Sequence, residues 1–222
     1  MKPFKVIIFI LLILFLSLHI STTPPPFTVL ERLYLHKELS QIDLLHGIEP
    51  LTEDGMLRAV IEIPAGSTEK WEISKDGKAM NRKFKNGKPG TVNYLGYPAN
   101  YGFIPKTIMM RAKGGDGNPL DVIVLGNALP RGKVVNVKPV GILKITDKGK
   151  QDDKLITIHS SSPFYTTINS INEMKEMYPG ILAILQLWFE NYKGPGKILF
   201  NGFGNDGEAK KLIESAISSY KK

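Results

Sequence analysis

Two acidic loops in the middle of the chain carry the residues best suited to chemistry. The first loop, DGNPLD, is bounded by Asp116 and Asp121, and its glycine and proline fix the turn. The second loop, TDKGKQDDK over 146–154, joins two predicted strands and holds Asp147, Asp152 and Asp153. Short carboxylates on two rigid loops meet the requirement of Mg²⁺ for oxygen ligands in near-octahedral geometry. For either loop alone, the alternative is that its aspartates only cap turns.

Basic and phenolic residues form a second group. Lys70 and Glu72 alternate along a predicted strand, so their side chains face the same side. The segment YPANYG brings Tyr97 and Tyr101 close together, and Tyr192–Lys193 closes a predicted helix. Lysine, arginine and tyrosine side chains can donate hydrogen bonds to phosphate oxygens. Taken singly, each has a plainer interpretation as a surface lysine or a half-buried tyrosine.

Composition narrows the kinds of site that the chain can build. The 222 residues contain no cysteine, which excludes disulfides, thiolate nucleophiles, zinc fingers and iron–sulfur clusters. The four histidines are scattered, and the sequence has no Walker loop, no GxGxxG and no basic–aromatic array for stacking bases. A net charge of +8 suits nucleic acid, an anionic membrane or a phosphorylated small molecule, and composition alone does not choose among them.

The elements that must position these residues indicate one α+β domain, because strands come first and helices later. Ala59–Ile63 and Lys70–Ser74 flank a turn and predict a hairpin. Helical spacing predicts a helix over Asn172–Tyr192, interrupted near Pro179, and a second helix over Asp206–Tyr220. Further strands are predicted at Asp121–Leu125, Val134–Lys138, Gly141–Thr146 and Lys154–Ile158.

The N-terminal segment is interpreted as a targeting signal. Residues 1–21 have a basic start, an almost purely apolar run and then small and polar residues, which is the layout of a secretory signal peptide. We therefore expect export to a periplasmic or extracellular space, and the alternative is an uncleaved membrane anchor. Residues 22–57 are predicted to form an irregular, partly helical lead-in, and residues 58–222 the functional domain.

Several motifs occur in an order that resembles the family I soluble inorganic pyrophosphatases, from Ala59 to the C-terminus. They are IEIP (61–64), KWEI (70–73), YPANYGFIP (97–105), DGNPLD (116–121), KPVGILKITDKGKQDDKL (138–155) and FENYK (189–193). The resemblance implies an OB-like, five-stranded antiparallel β-barrel with flanking α-helices. It also implies Mg²⁺-dependent hydrolysis of inorganic pyrophosphate to two phosphates.

The resemblance further implies roles for individual residues. The implied metal ligands are Asp116, Asp121 and Asp152, with Asp147 and Glu62 serving additional ions. The implied catalytic group is Asp116, Asp121 and Lys154. Phosphate would be held by Lys70, Tyr101, Lys154, Tyr192 and Lys193, with Glu72 and Tyr97 in supporting positions. The family's arginine is matched by Arg82 when counted from Glu72, and Lys88 is the alternative.

One position departs from the family pattern, which normally reads Asp-x-Asp-Pro-x-Asp. The middle residue here is Asn118. In the family, that aspartate contacts the activating metals and accepts the proton of the nucleophilic water, which an amide cannot do at neutral pH. General-base catalysis contributes about 10²–10⁴-fold, so we expect weakened activity. The alternative is a non-catalytic phosphate- or pyrophosphate-binding protein that has kept the cavity.

The expected partners follow from the same resemblance. Pyrophosphate and phosphate are the expected ligands, with a homo-oligomer as the expected assembly, because family members form hexamers or dimers. Nucleic acid is not expected, since the aromatic residues of a binding groove are missing and the acidic loops would repel a phosphate backbone. Membrane association is expected only if the N-terminal segment stays uncleaved.

Overall fold

The computed structural model describes residues 42–221, apart from the side chain of Lys113. The predicted signal peptide and most of the predicted lead-in lie outside this range. The strands are β1 (Leu57–Ile63), β2 (Trp71–Ile73), β3 (Met80–Arg82), β4 (Phe84–Lys85), β5 (Lys88–Pro89), β6 (Asn100–Phe103), β7 (Asp121–Leu125), β8 (Val134–Asp147), β9 (Lys150–Gln151), β10 (Lys154–His159) and β11 (Ile198–Gly204). The α-helices are α1 (Ile171–Met177), α2 (Pro179–Asn191) and α3 (Asp206–Tyr220).

Seven strands form one curled, barrel-like sheet. β1 pairs with β6, β6 with β7, β7 with β10 and β10 with β8, and the first part of β8 pairs with β1 again. β11 and the short β9 pair with the second part of β8. The predicted α+β, OB-like fold is therefore confirmed. The prediction of purely antiparallel strands is wrong in one pairing, because β10 runs parallel to β7 with Leu155 beside Val122.

β8 is one continuous strand where the sequence predicted two. Its pairing with β10 changes register at Pro139, which lies opposite Thr157. Proline has no N–H for the ladder and is tolerated at such irregularities. Gly141 follows the bend, and a Cβ at this position would lie 2.7 Å from the carbonyl oxygen of Gly204. The bent strand therefore pairs with β1 through its first half and with β11 through its second half.

Both faces of the sheet are covered, and β7 shows how the sequence achieves this. Ile123 points into the cluster that includes Leu185 of α2, whereas Val122 and Val124 belong to the cluster that includes Ile213 of α3. Side chains alternate across a strand, so an unbroken apolar run such as the VIVL of residues 122–125 is what a strand buried on both faces needs. Asp121 immediately precedes this run, which leaves its carboxylate at the end of a rigid, buried strand.

Both predicted helical regions are present. The break near Pro179 separates α1 from α2, and α3 spans the predicted residues 206–220. α3 begins with a capping box, in which the Asn205 side chain accepts from the Glu208 N–H and the Glu208 carboxylate accepts from the Asn205 N–H. Within residues 42–221, no helix has both the length and the apolar character needed to cross a bilayer.

Other local predictions differ from the structure. The predicted hairpin between Ala59–Ile63 and Lys70–Ser74 is wrong, because β6 and β8 occupy both edges of β1 and β2 pairs with β3 in a separate two-stranded sheet. The described part of the lead-in, residues 42–56, consists of turns and an isolated bridge without a helix. β6 and β11 were not predicted, since Gly102 and Gly202 lower their strand character.

Candidate functional site

A cavity of about 590 Å³ opens between the barrel-like sheet, the β2–β3 hairpin and the end of α2. Residues from the separate sequence motifs meet in it. The charged, amide and phenolic residues of these motifs that line it are Glu62, Lys70, Glu72, Tyr97, Tyr101, Asn118, Asp121, Asp147, Asp152, Lys154, Tyr192 and Lys193. The fold therefore gathers side chains that are far apart in sequence into one site.

Lys154 lies at the centre of the acidic part of the cavity. Its side chain is 4% exposed, and its Nζ donates to Asp121 and, at 2.6 Å, to Asp152 Oδ1. Burial lowers the pKa of the ammonium, but the two carboxylates outweigh that effect and raise it well above the usual value. Burial also raises the pKa of Asp152, and the charge of Lys154 opposes this rise. The ammonium is thus a permanent cation that holds two aspartates together.

Glu62, at the end of β1, is a buried carboxyl in the same cavity. Its Oε1 accepts a hydrogen bond of 2.7 Å from the backbone N–H of Ile73 on β2. Burial, reinforced by the charge of Asp121, raises the pKa of Glu62 to about 8, although the Ile73 hydrogen bond works in the opposite direction. In this state Glu62 is mainly protonated at neutral pH.

Two further lysines converge on the ring of Tyr192. Lys70 Nζ lies 4.7 Å from the ring centroid and Lys193 Nζ 5.3 Å from it, both in cation–π range. Lys193 also forms an ion pair of 2.6 Å with Asp147. Burial and the charges of Lys193 and Lys83 lower the pKa of Lys70 to about 8. An anion bound between these lysines would relieve their mutual repulsion.

The hydroxyls of three tyrosines are kept protonated by burial. It raises the pKa of Tyr97, Tyr101 and Tyr192, so each remains a hydrogen-bond donor across the physiological range. Trp188 fixes two of the rings, with centroids 4.5 Å from Tyr97 and, in parallel stacking, 4.6 Å from Tyr192. The aromatic cluster therefore gives the cavity a rigid wall.

The DGNPLD loop differs from the prediction in the direction of its first aspartate. Asp116 does not line the cavity, whereas Asn118 does. Both carboxylate oxygens of Asp116 accept from Asn118, one from the backbone N–H at 2.9 Å and the other from the side-chain amide. The amide at position 118 thus holds Asp116 within the loop.

The basic residue that the β2–β3 hairpin contributes to the cavity also differs from the prediction of Arg82 or Lys88. Arg82 is not part of the cavity lining, because it forms an ion pair with Glu69 and stacks near the Trp71 ring. Lys88 lies on the exposed strand β5, likewise away from the cavity. The neighbour of Arg82, Lys83, lines the cavity instead and forms an ion pair of 2.6 Å with Glu72.

Strand geometry explains why Lys83 takes this place. Arg82 pairs with Trp71, and the N–H of Lys83 donates to the carbonyl of Lys70. Opposite residues of an antiparallel pair share a face, so Lys83 lies on the face of Lys70 and Glu72. Alternation along a strand could have revealed this choice if the length of the turn between β2 and β3 had been known.

The acidic residues fit a hard cation in their chemistry, since every donor is a carboxylate oxygen. Asp147 Oδ1 is buried without a hydrogen-bond partner, as expected for an atom that a cation would satisfy. Within the described part of the chain, no three acidic or histidine side chains form a preassembled metal site. The Lys154 ammonium, bound to both Asp121 and Asp152, is the cation that these two carboxylates share in this structure.

Comparisons with known proteins identify the family to which this chain is similar. Residues 59–221 match the family model described as inorganic pyrophosphatase. A soluble inorganic pyrophosphatase 2 from Chlamydomonas reinhardtii is 33% identical over 181 residues, covering 79% of this chain and 86% of that protein. An inorganic pyrophosphatase from Homo sapiens is 34% identical over 200 residues, covering 83% and 69%. The crystal structure of type I inorganic pyrophosphatase from Toxoplasma gondii matches with a TM-score of 0.76 at 25% identity, covering 81% and 88%.

The chain therefore belongs to the inorganic pyrophosphatase family. The resemblance seen in the sequence motifs is confirmed, and so is the prediction of an enzyme class that hydrolyses pyrophosphate. The family is generally metal-dependent, in keeping with the oxygen donors of the cavity.

Proposed function

We propose that this chain hydrolyses inorganic pyrophosphate with Mg²⁺, at a rate reduced by Asn118. The observation that carries the proposal is the buried Lys154 ammonium, which joins Asp121 and Asp152 in the cavity that Lys70 and Lys193 also line. Pyrophosphate is a dense anion, and its hydrolysis requires positive charge around both phosphoryl groups. The converging lysines of this site provide positive charge directly, and its unshared carboxylate oxygens can bind metal cations.

The chain's own residues divide into two groups in this mechanism. Lys70 and Lys193 would bind phosphate oxygens, and the protonated hydroxyl of Tyr192 would donate a further hydrogen bond. Asp121, Asp147 and Asp152 would hold Mg²⁺ through carboxylate oxygens. When bound, Mg²⁺ would neutralise charge on the substrate and lower the pKa of a water molecule. Lys154 would fix the orientation of Asp121 and Asp152 before the metal arrives.

Asn118 supports the slower rate. It lines the cavity but can accept no proton, and its amide keeps both oxygens of Asp116 inside the loop. The chain would thus lack a carboxylate base at this position and present one fewer aspartate to the metals. This same contact favours a second candidate function, a phosphate- or pyrophosphate-binding protein without turnover.

The test is Mg²⁺-dependent release of phosphate from pyrophosphate by the full-length protein, together with calorimetric binding of pyrophosphate. Asp121→Asn should lose activity, whereas Asp206→Asn, on the exposed first turn of α3, should match the wild type. Tight binding without phosphate release would favour the binding protein. Release that is independent of Mg²⁺, or unaffected by Asp121→Asn, would contradict the mechanism.

We also propose that the chain self-associates through the outer face of α2. Ile184 and Leu187 on this helix are 57% and 59% exposed, and Leu95, whose carbonyl accepts from Trp188 Nε1, is 72% exposed. Neighbouring apolar side chains of this size favour association with a like surface. Light scattering of the purified protein would measure the mass, and a monomer at micromolar concentration would contradict this proposal.

Export also remains a proposal, supported by the basic, apolar and small-residue order of residues 1–21. Cell fractionation and N-terminal sequencing of the purified protein would test it. A protein that starts at Met1 in the soluble cytoplasmic fraction would refute export, and one that starts at Met1 in the membrane fraction would support the anchor.

A further inference from the structure

The 43–47 turn lies at the rim of the cavity, before the part of the chain that matches the family model. Leu45 and His46 of this turn line the cavity together with Lys75 at the tip of the β2–β3 hairpin and Tyr220 at the end of α3. Three elements that are remote in sequence therefore meet at one point of the rim.

The backbone of the 43–47 turn is seated on the hairpin. The N–H of Leu44 donates to the carbonyl of Gly77 at 2.8 Å, and Asp43 Oδ1 accepts from the N–H groups of Leu45 and His46. Gly77 has a φ of +72°, and a Cβ there would lie 1.8 Å from Asp43 Oδ1. The close approach shows that the turn and the hairpin fit each other without space for a side chain.

The ring of His46 joins the hairpin to α3. Its Nε2 lies 3.1 Å from the Lys75 carbonyl oxygen, and its Nδ1 lies 2.8 Å from the Tyr220 hydroxyl. Since a carbonyl oxygen only accepts, Nε2 carries the proton, and in the neutral ring Nδ1 accepts from the tyrosine. The two rings also stack, with centroids 6.0 Å apart and planes 22° apart.

This junction bears on the site because of what the hairpin carries. β2 and β3 form a two-stranded sheet separate from the main sheet. Lys70 immediately precedes β2, Lys83 immediately follows β3, and both lysines line the cavity. A two-stranded hairpin is only marginally stable by itself, so the direction of these lysines depends on contacts that hold the hairpin in place.

We propose that His46 is a positioning residue for pyrophosphate binding. Its ring fixes the hairpin against the end of α3 and thereby keeps Lys70 and Lys83 directed into the cavity. His46 itself does not need to touch the substrate. This inference rests on the proposed function for its effect on substrate, whereas its effect on the hairpin can be measured without substrate.

The kinetic test compares His46→Ala and Tyr220→Phe with the wild type, and uses His159→Ala as the matched control away from the cavity. His46→Ala should raise KM for pyrophosphate about five-fold, the effect of one net hydrogen bond, and leave kcat unchanged. Tyr220→Phe should give a smaller rise in KM because the ring remains. His46→Gln should recover part of the loss, since its amide keeps a donor and an acceptor.

The second test follows amide hydrogen exchange of residues 70–83 in the absence of substrate. Exchange in this segment should be faster in His46→Ala than in the wild type or His159→Ala, with the remaining strands unchanged. Equal exchange in His46→Ala and the wild type would overturn the proposal, even in an active enzyme. Faster exchange throughout the protein would also overturn it, because His46 would then be a general stabilising residue. If the wild type released no phosphate, the proposed function would fail separately, while the exchange result would still decide the role of His46 in the hairpin.

Discussion

The substitution Asn118→Asp tests how this chain uses the DGNPLD loop. In the structure, Asn118 donates to both oxygens of Asp116. The variant would replace the donating side-chain amide by a second carboxylate. It would restore a proton acceptor to the cavity and place two negative charges side by side. The variant should therefore be less stable than the wild type in the absence of metal. In the presence of Mg²⁺ it should hydrolyse pyrophosphate faster.

The expected magnitudes follow from these contacts. A hydrogen bond to a charged group contributes about 1.5–3 kcal/mol, and because this loop faces solvent we take the lower end. Repulsion between two carboxylates about 4 Å apart in a water-like medium adds about 1 kcal/mol. The resulting loss of about 2.5 kcal/mol in unfolding free energy corresponds to a fall in Tm of about 5–10 °C for a domain of this size. With Mg²⁺ shared between the carboxylates, most of this loss should be recovered.

Two assays measure these effects. Thermal unfolding of Asn118→Asp should show the lower Tm in a chelating buffer and its recovery in millimolar Mg²⁺. Phosphate release should rise by about 10²-fold or more, the lower range of general-base catalysis. Asn118→Ala is the matched control, because it frees Asp116 without adding a proton acceptor and should not raise kcat. Equal kcat values in Asn118→Asp and the wild type would refute the reasoning about the base. An unchanged Tm in chelating buffer would refute the reasoning about the Asp116 contact.

Three further predictions concern other parts of the molecule. Lys154→Met should lower the unfolding free energy by about 3 kcal/mol in chelating buffer, because Asp121 and Asp152 lose the cation that they share. Thermal unfolding should show that Mg²⁺ raises the Tm of this variant more than that of the wild type. Burial lowers the pKa of Lys70 to about 8, so its charge is lost as the pH rises through that value and KM for pyrophosphate should increase above pH 8. The substitution Lys70→Arg should flatten this increase, and an equal rise of KM in both proteins would show that Lys70 is not responsible. Leu187→Glu should reduce the mass measured by light scattering without loss of secondary structure, and an unchanged mass would exclude the outer face of α2 as the interface.

Local patterns predicted the regular elements well where one signal dominated. β7 and α3 have the predicted bounds because an apolar run and a helical stripe leave little choice. β8 was predicted as two strands because Pro139 interrupts its pattern, yet the strand continues through a change of register. The predicted β1–β2 hairpin failed because both edges of β1 are occupied by strands that come much later in the chain. Pairing over such distances is not encoded in a short segment.

The residues of the site also divide into those that local motifs predicted and those that depend on pairing between distant parts of the chain. The family resemblance carried by the motifs predicted most of the carboxylates and lysines that line the cavity, since these residues lie at fixed spacings in short rigid segments. The choice between Arg82 and Lys83 required the register of β2 against β3, which the sequence does not display. The role of His46 could not be predicted, because its partners Lys75 and Tyr220 come from elements remote from it in sequence.

The continuity of β8 has a consequence for how the protein acquires its structure. One strand bonds to β1, β10, β11 and β9, so the loss of β8 would break four of the sheet's pairings at once. β1 is made early but gains its β8 partner only after β6 and β7 have been synthesised, more than 70 residues later, and such non-local pairing makes folding slow. Unfolding should be correspondingly cooperative, so proteolytic cleavage within β8 would leave no stable half of the domain.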